Sequence, residues 1–359
     1  MLEEIQITQL IPPLLSWYER AKRPLPWRGT RDPYRIWVSE IMLQQTRIEA
    51  VIPYYHRFMD ALPDIASLAD CPEDALMKLW EGLGYYSRAR NLKKAALRIV
   101  EEFGGKMPAD HERILSLPGI GPYTAGAIAS IAFNLPHPAI DGNVLRVIAR
   151  VSDDSRNVLG SELKKELTGA LQSAMEEVSA INPGYFNGAL NQALMELGEH
   201  ICLPNGIPRC EDCPWRDLCL ARERDTVSAL PVRIKKTARR VEHRTIILVV
   251  DGKRILIKKR EETGLLAGLY EPFNLPGSLD ENKAVEAVRG LQLDPLHIEA
   301  LPDARHLFSH IEWRMNGFLV KVADAHTFNE EGGYFFVEME ALRKHYSIPG
   351  AYAKFMQFL

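Results

Sequence analysis

Two glycines separated by a single residue limit the architecture of this chain more than any other feature. In Leu117-Pro118-Gly119-Ile120-Gly121-Pro122-Tyr123-Thr124-Ala125 a short helix, with Asp110 as its N-cap and HERILSL behind it, runs into a tight Gly-x-Gly turn. A second helix starts on Pro122, where a missing N–H costs nothing. The glycines allow close approach of another backbone, and the free amides at the start of the second helix favour an anion. A nucleic-acid phosphate is the natural candidate. An ordinary helix–turn–helix corner accounts for one glycine, but less well for the pair together with the downstream Asp141-Gly142-Asn143.

Around this hairpin the pattern is helical to about residue 220. A first helix is expected from Leu10 to Arg20. Asp32-Pro33 reads as N-cap and first residue of a long helix through YRIWVSEIMLQQTRIEAVIPYYHRFM, broken near Pro53. Further helices are expected around 63–70, 72–81 and 87–103. Leu190, Leu194, Leu197 and Ile201 recur at helical spacing and predict a buried face. The period then changes. RTIILVV-Asp251-Gly252-KRILIKKR predicts a β-hairpin, and WRMNGFLVKV, YFFVEM and an amphipathic helix near 282–290 complete a small α/β domain. The polar, Pro-containing residues 221–243 between them read as a linker.

The 359 residues suit two or three domains, and 46% hydrophobic with 25% charged residues is ordinary for a water-soluble globular protein. No apolar run is long enough to cross a membrane, and the acidic start MLEEIQ is no signal peptide. A net charge of −3 does not advertise nucleic-acid binding, but local patches matter more. Residues 19–35 carry six Arg or Lys against two acids, and residues 221–240 carry seven against two. Solvated charge runs are the alternative reading of both.

Four of the five cysteines, Cys202, Cys210, Cys213 and Cys219, follow the spacing C-x7-C-x2-C-x5-C. Without a secretory signal such a cluster favours a metal over disulfides. Chemistry alone leaves structural zinc slightly ahead of iron–sulfur. Cys71 reads as a buried apolar residue. Two carboxylates stand out. Glu40 lies in an otherwise apolar helical stretch, where burial favours the protonated form and suits a general acid. Asp141 immediately precedes a helix, whose amides favour its ionised form. An exposed helix residue and a plain N-cap are the alternatives.

LPGIGPYTAGAI and AIDGNVLRVIAR, with SEIMLQQT upstream and HLFSH downstream, resemble the helix-hairpin-helix DNA glycosylases similar to endonuclease III, and within them the MutY family of adenine glycosylases. The likeness covers nearly the whole chain. It implies a multidomain fold: an all-α helix-hairpin-helix glycosylase domain over 1–220 with an iron–sulfur cluster, then an α/β Nudix-like domain over 244–359. Within the first, a six-helix lobe is expected over about 30–135 and an iron–sulfur lobe from 1–29 and 136–220. The resemblance reverses the metal preference, to a [4Fe–4S] cluster on Cys202, Cys210, Cys213 and Cys219. The family usually has six residues between the first two cysteines, and here there are seven.

The same resemblance implies that Glu40 protonates adenine N7 and that Asp141 stabilises an oxocarbenium-like sugar, assisted by Tyr123 and Asn143. Breaking an N-glycosidic bond needs this division of labour between two acids. Bifunctional relatives carry Lys where this chain has Tyr123. Tyr cannot form a Schiff base, so a monofunctional glycosylase is expected. A base inside a duplex must be flipped out. Gln44, Gln45 and Thr46 match the polar wedge, and Tyr85, Tyr86 and Ser87 the stretch that stacks at the partner base. Arg23, Leu25, Trp27, Arg28 and Gln192 match the adenine pocket and its entrance, while Gly119 and Gly121 would hold a DNA phosphate. Solvent-facing glutamines, a core Tyr, a core Trp27 and a buried amide at Gln192 are the alternatives.

In the C-terminal domain, SLDENKAVEAVRGLQL after Gly277 lacks the glutamate cluster of a working Nudix hydrolase, so pyrophosphatase activity is not expected. Phe308, Ser309 and His310 match the element that recognises 8-oxoguanine. The expected partner is duplex DNA holding adenine opposite 8-oxoguanine or guanine, and the expected state is a monomer in the cytoplasm, at the bacterial nucleoid when acting. A mismatch or oxidised-pyrimidine glycosylase on the same scaffold is the main rival. A non-catalytic lesion binder and a nucleotide hydrolase are the others.

Overall fold

The computed structural model describes residues 6–181, 184, 186–234, 239–323, 325, 328 and 331–359. By packing the chain divides into two units, Met1–Asp70 with Asn91–Lys236 and Cys71–Arg90 with Thr237–Leu359.

The first unit is helical: α1 (Ile7–Ala21), α2 (Pro33–Leu43), α3 (Ile48–Ala61) and α4 (Ile65–Asp70) come first. After α5 (Glu73–Trp80) and α6 (Ser87–Phe103) follow the hairpin helices α7 (His111–Leu115) and α8 (Pro122–Phe133). Next are α9 (Gly142–Val151), α10 (Ser161–Ile181), α11 (Asn187–His200) and the single turn α12 (Leu220–Glu223). Side-chain caps set several boundaries. Asp32 accepts from the Tyr34 amide at 2.9 Å, Asp110 from Arg113 at 2.9 Å, and Asp141 from both Asn143 and Val144 at 2.8 Å.

The helix expected to break near Pro53 breaks earlier. Pro53 lies inside α3, and the chain instead leaves the helix at Gln44 and turns through Gln45 at φ +58°. Burial of Val51, Tyr55, Phe58 and Met59 along α3 outweighs the one backbone bond that Pro53 removes.

α8 is apolar on every side and buried from Thr124 to Ile131, as a central helix must be, and α2, buried at Tyr34 and from Ile36 to Met42, packs on it. A second core joins Leu10 and Leu14 of α1 to Val144 and Ile148 of α9, Leu167 and Leu171 of α10, and Leu190, Leu194, Leu197 and Ile201 along α11. Trp215 closes it, its indole N–H donating to the Leu10 carbonyl at 2.8 Å. Of residues 221–243, 221–223 end α12, and Leu230 is buried, its carbonyl accepting from Arg150 Nε at 2.9 Å. The Val232 carbonyl accepts from the Val158 amide, residues 240–243 already belong to a strand, and 235–238 lie outside the described residues.

The second unit is built on a six-stranded mixed sheet in the order β4-β5-β1-β3-β2-β6. Its strands are β1 (Arg240–Asp251), β2 (Arg254–Lys259), β3 (Tyr270–Pro276), β4 (Pro295–Leu307), β5 (Ile311–Val322) and β6 (Tyr334–Glu338). The Asp251-Gly252 turn pairs Val250 with Ile255, while β1 runs parallel to β5 from Arg240↔Ile311 to Val250↔Lys321. Alternate residues of β1 serve opposite cores. Ile246, Leu248 and Val250 meet Tyr352 and Phe355 near α14 (Met339–His345) and α15 (Ala353–Met356), whereas Ile247 and Val249 meet Ala284 and Val288 of α13 (Glu281–Arg289). Residues 71–90, with α5, pack in this unit. Glu81 accepts from the Ile348 amide at 3.0 Å, and Lys259 pairs with Asp74 at 3.3 Å.

Candidate active site

The break at Gln44 to Arg47, the start of α9 and one face of α11 enclose a cavity of about 560 Å³ in the helical unit. Glu40 and Asp141, a hundred residues apart in sequence, both line it.

Glu40 is only 6% exposed. Burial lifts its carboxyl to about 7; the Tyr123 hydroxyl, donating to Oε2 at 2.7 Å, opposes that rise, and the nearby charge of Asp141 adds to it. Tyr123 is itself held far above the usual phenol range by burial and by Glu40, so it remains a donor. Asp141 combines an N-cap with a cavity position. Its Oδ1 takes the Asn143 and Val144 amides, leaving Oδ2 to the Asn143 side chain at 2.9 Å. The amides alone would depress this carboxyl as expected. Burial outweighs them and leaves it raised, with the Arg146 charge and the Asn143 side chain also pulling downward.

Segment 137–139, leading into Asp141, is pinned by Asn191, which no sequence pattern singled out. Its side chain donates to Ser130 Oγ at 2.7 Å and to the His137 carbonyl at 2.9 Å, and accepts from the Ala139 amide at 3.0 Å. Glu196, fully buried, was equally missed. It takes Arg23 Nε at 2.6 Å and Arg28 Nη2 at 2.5 Å, fixing both arginines on the cavity wall. Burial would raise this carboxyl, but the two arginines reverse the balance and hold it below the ordinary range. The usable signal was helical spacing: Gln192, Glu196 and Glu199 recur at i, i+4 and i+7 opposite the leucine face of α11.

Leu25 and Trp27 are both buried and both on the cavity wall, Trp27 meeting Tyr55 edge-on at 5.3 Å. Trp27 is thus core and lining at once. Gln192 lines the cavity with its amide oxygen accepting from the Tyr18 hydroxyl at 3.1 Å. Gln45 and Thr46 also line it, whereas Gln44 points to Thr124 Oγ1 at 3.4 Å.

Gly119 has φ +75°, and a Cβ there would lie 2.5 Å from the Asn91 side chain, so the turn requires glycine. Gly121 caps α8 at ordinary φ, with open space where a Cβ would stand and an exposed surface. The second unit carries the other candidates. Tyr85 is 47% exposed at φ +47°, its hydroxyl 3.4 Å from Ser309 Oγ. Ser87 is exposed, but Tyr86 is buried at 6% and offers no face for stacking, so the core alternative holds at that position. Phe308, Ser309 and His310 form the tight turn between β4 and β5. Ser309 and His310 are exposed, while Phe308 is half-buried against Trp313, 4.9 Å between ring centres.

Cys202, Cys210, Cys213 and Cys219 are all unpaired and line one pocket beside Arg150 and Arg222. Burial pushes the Cys213 thiol up to about 12, and each of the other three thiols adds to that rise. Among the described residues no three His, Cys, Asp or Glu groups converge as ligands of a single ion. The four thiols nonetheless share the lining of one pocket, so the structure brings together the donor set that their spacing singled out. No helix among the described residues is long and apolar enough to cross a membrane.

Residues 38–173 match the family model described as HhH-GPD superfamily base excision DNA repair protein, and residues 245–358 match that of the NUDIX domain. The adenine DNA glycosylase of Mus musculus is 36% identical over 359 residues, covering 83% of this chain and 68% of that protein. That of Buchnera aphidicola subsp. Baizongia pistaciae is 34% identical over 307 residues, covering 84% and 83%. Among solved structures, a thermostable thymine-DNA glycosylase is similar with a TM-score of 0.54 at 29% identity, covering 61% of this chain and 97% of that one.

Proposed function

The chain belongs to the adenine DNA glycosylase family of the HhH-GPD superfamily, and from that premise we propose that it excises adenine from duplex DNA in base excision repair, acting on adenine opposite 8-oxoguanine or guanine. The observation that carries the chemistry is the pairing of Glu40 and Asp141 on one cavity, with the Glu40 carboxyl lifted to about 7. A general acid poised near neutral pH can give up its proton as the leaving group departs.

The Tyr123 hydroxyl occupies Glu40 Oε2, which leaves Oε1 to carry the acidic proton. Adenine, flipped into the cavity, takes that proton at N7. The C1′–N9 bond then breaks with its electron pair moving into the base, and C1′ becomes oxocarbenium-like. Asp141 Oδ2 faces that charge as the anion. Water adds to C1′ and returns a proton to the ionised Glu40, leaving an abasic sugar and free adenine. No amine stands at position 123 to form a Schiff base, so the strand stays intact.

Arg23 and Arg28, held by Glu196, with Leu25, Trp27 and Gln192, form the base pocket, and Gln45 and Thr46 its rim. Gly119 and Gly121 present the start of α8 to a phosphate. The lesion-reading role of Tyr85, Ser309 and His310 is supported by their exposure and by the closeness of Tyr85 to Ser309. Cys202, Cys210, Cys213 and Cys219 would hold a [4Fe–4S] cluster. When bound it supplies a covalent tie across the loops between α11 and α12, outside the reaction itself.

The likeness to a thymine-DNA glycosylase covers 61% of this chain, whereas the adenine glycosylases extend over 83–84%. Single-turnover excision from A:8-oxoguanine, A:G and T:G duplexes, developed with alkali, tests the assignment. Adenine release from the first two is expected; thymine release alone would overturn it.

A further inference from the structure

Glu199 takes no part in the mechanism above. It lies on the cavity-facing stripe of α11, seven residues past Gln192, and is exposed to solvent at the rim. Its neighbour Gly198 sets how closely two helices meet. A Cβ at Gly198 would fall 2.7 Å from the Cβ of Asn143, so glycine is what lets α11 approach α9.

That approach assigns every polar position of the Asn143 carboxamide. Nδ2 donates to Asp141 Oδ2 at 2.9 Å and to Glu199 Oε1 at 3.5 Å, while Oδ1 accepts from Arg146 Nη2 at 2.9 Å. Arg146 is buried and fixed in turn by the carbonyls of Gly198 and Cys202, both at 2.8 Å. A flipped amide would set its oxygen against two carboxylates and its NH2 against a guanidinium. Only one orientation is satisfied. Asp141 Oδ1 already holds two backbone amides, so the direction of Oδ2 depends on Asn143.

We propose that Glu199 is a positioning residue: by accepting the second Nδ2 hydrogen of Asn143 it fixes the carboxamide, and through it the Asp141 oxygen that meets the developing sugar cation. The proposal rests on the adenine-excision reading. It assigns Glu199 an acceptor role that a neutral carboxamide also fills, distinct from an electrostatic role that only a carboxylate fills.

The test uses the full chain and compares Glu199→Ala, Glu199→Gln and Glu199→Asp with the parent. The readouts are single-turnover excision on A:8-oxoguanine and A:G duplexes, duplex affinity, and thermal midpoint. The Ala variant should excise about tenfold more slowly, with midpoint and affinity unchanged because the residue is exposed. The Gln variant keeps an acceptor oxygen at the same reach and should recover most of the rate. The Asp variant, one methylene shorter, should behave like Ala. Parental rates in the Ala variant would overturn the proposal, as would a Gln variant as slow as Ala, since that means charge alone. Tighter duplex binding with parental rates in both neutral variants would also overturn it, making Glu199 a repulsive rim charge. A parent chain inert on every duplex would instead remove the excision reading, and this proposal with it.

Discussion

Glu40→Gln removes an ionisable group from a buried position while keeping its shape, and its effect on stability can be worked from the site. Burial raises the Glu40 carboxyl from 4.5 to about 7. Between those values the unfolded chain has released its proton while the folded chain still holds it. Stability therefore falls as pH rises through that window and stays lowered above 7. A gap of about 2.5 units at 1.36 kcal/mol per unit amounts to about 3 kcal/mol. Glutamine never ionises, so the variant should be more stable than the parent by about 3 kcal/mol at pH 8 and by about 1 kcal/mol at pH 5. For a unit of this size that is a thermal midpoint about 6–12 °C higher at pH 8. Melting both proteins by circular dichroism at pH 5 and pH 8 measures it, with single-turnover assays alongside. The variant should release no adenine, and the parent's excision rate should fall as pH rises past 7, where the general acid is lost. A variant equally or less stable than the parent at pH 8, or a stability gap that does not grow with pH, would refute the claim that Glu40 is held protonated by burial.

Other perturbations separate the remaining roles. Asp141→Asn keeps an oxygen for the two capping amides, so folding and duplex affinity should hold within a few-fold while single-turnover excision drops at least about 1,000-fold; parallel losses in a gel-shift assay would point to a structural role. Tyr123→Phe deletes the hydrogen bond that lowers the Glu40 carboxyl, so the alkaline limb of the pH–rate profile should move to higher pH, and a move downward would contradict the assignment. Ala at Ser309 and His310 together should erode the preference for A:8-oxoguanine over A:G more than the A:G rate itself; equal loss on both duplexes removes the lesion-reading role. Cys213→Ser should lower iron and acid-labile sulfide per purified chain, whereas retention of both would place the cluster elsewhere.

Much of the helical framework was legible because its determinants are local. Asp32, Asp110 and Asp141 cap the helices that follow them, Pro122 opens α8, and the Asp251-Gly252 turn joins β1 to β2. Strands β3 and β4 escaped notice because proline interrupts their alternation, and the break after α2 was misplaced because Pro53 is the louder local signal than Gln45. Tyr85 and Tyr86 show the limit at a site: adjacent and chemically alike, one is exposed and the other buried, and no local pattern distinguishes them.

Residue order alone determined where the helices begin, which face of α11 is greasy, and that carboxylates and thiols occupy telling positions, since each depends on neighbours within a few residues. The packed structure decided the charge state of Glu40, the hold of Glu196 on two arginines, the locking of Asn143 between Asp141 and Glu199, and the grouping of residues 71–90 with the sheet. These depend on desolvation and on partners scores of residues away, which come into range only when the cores close.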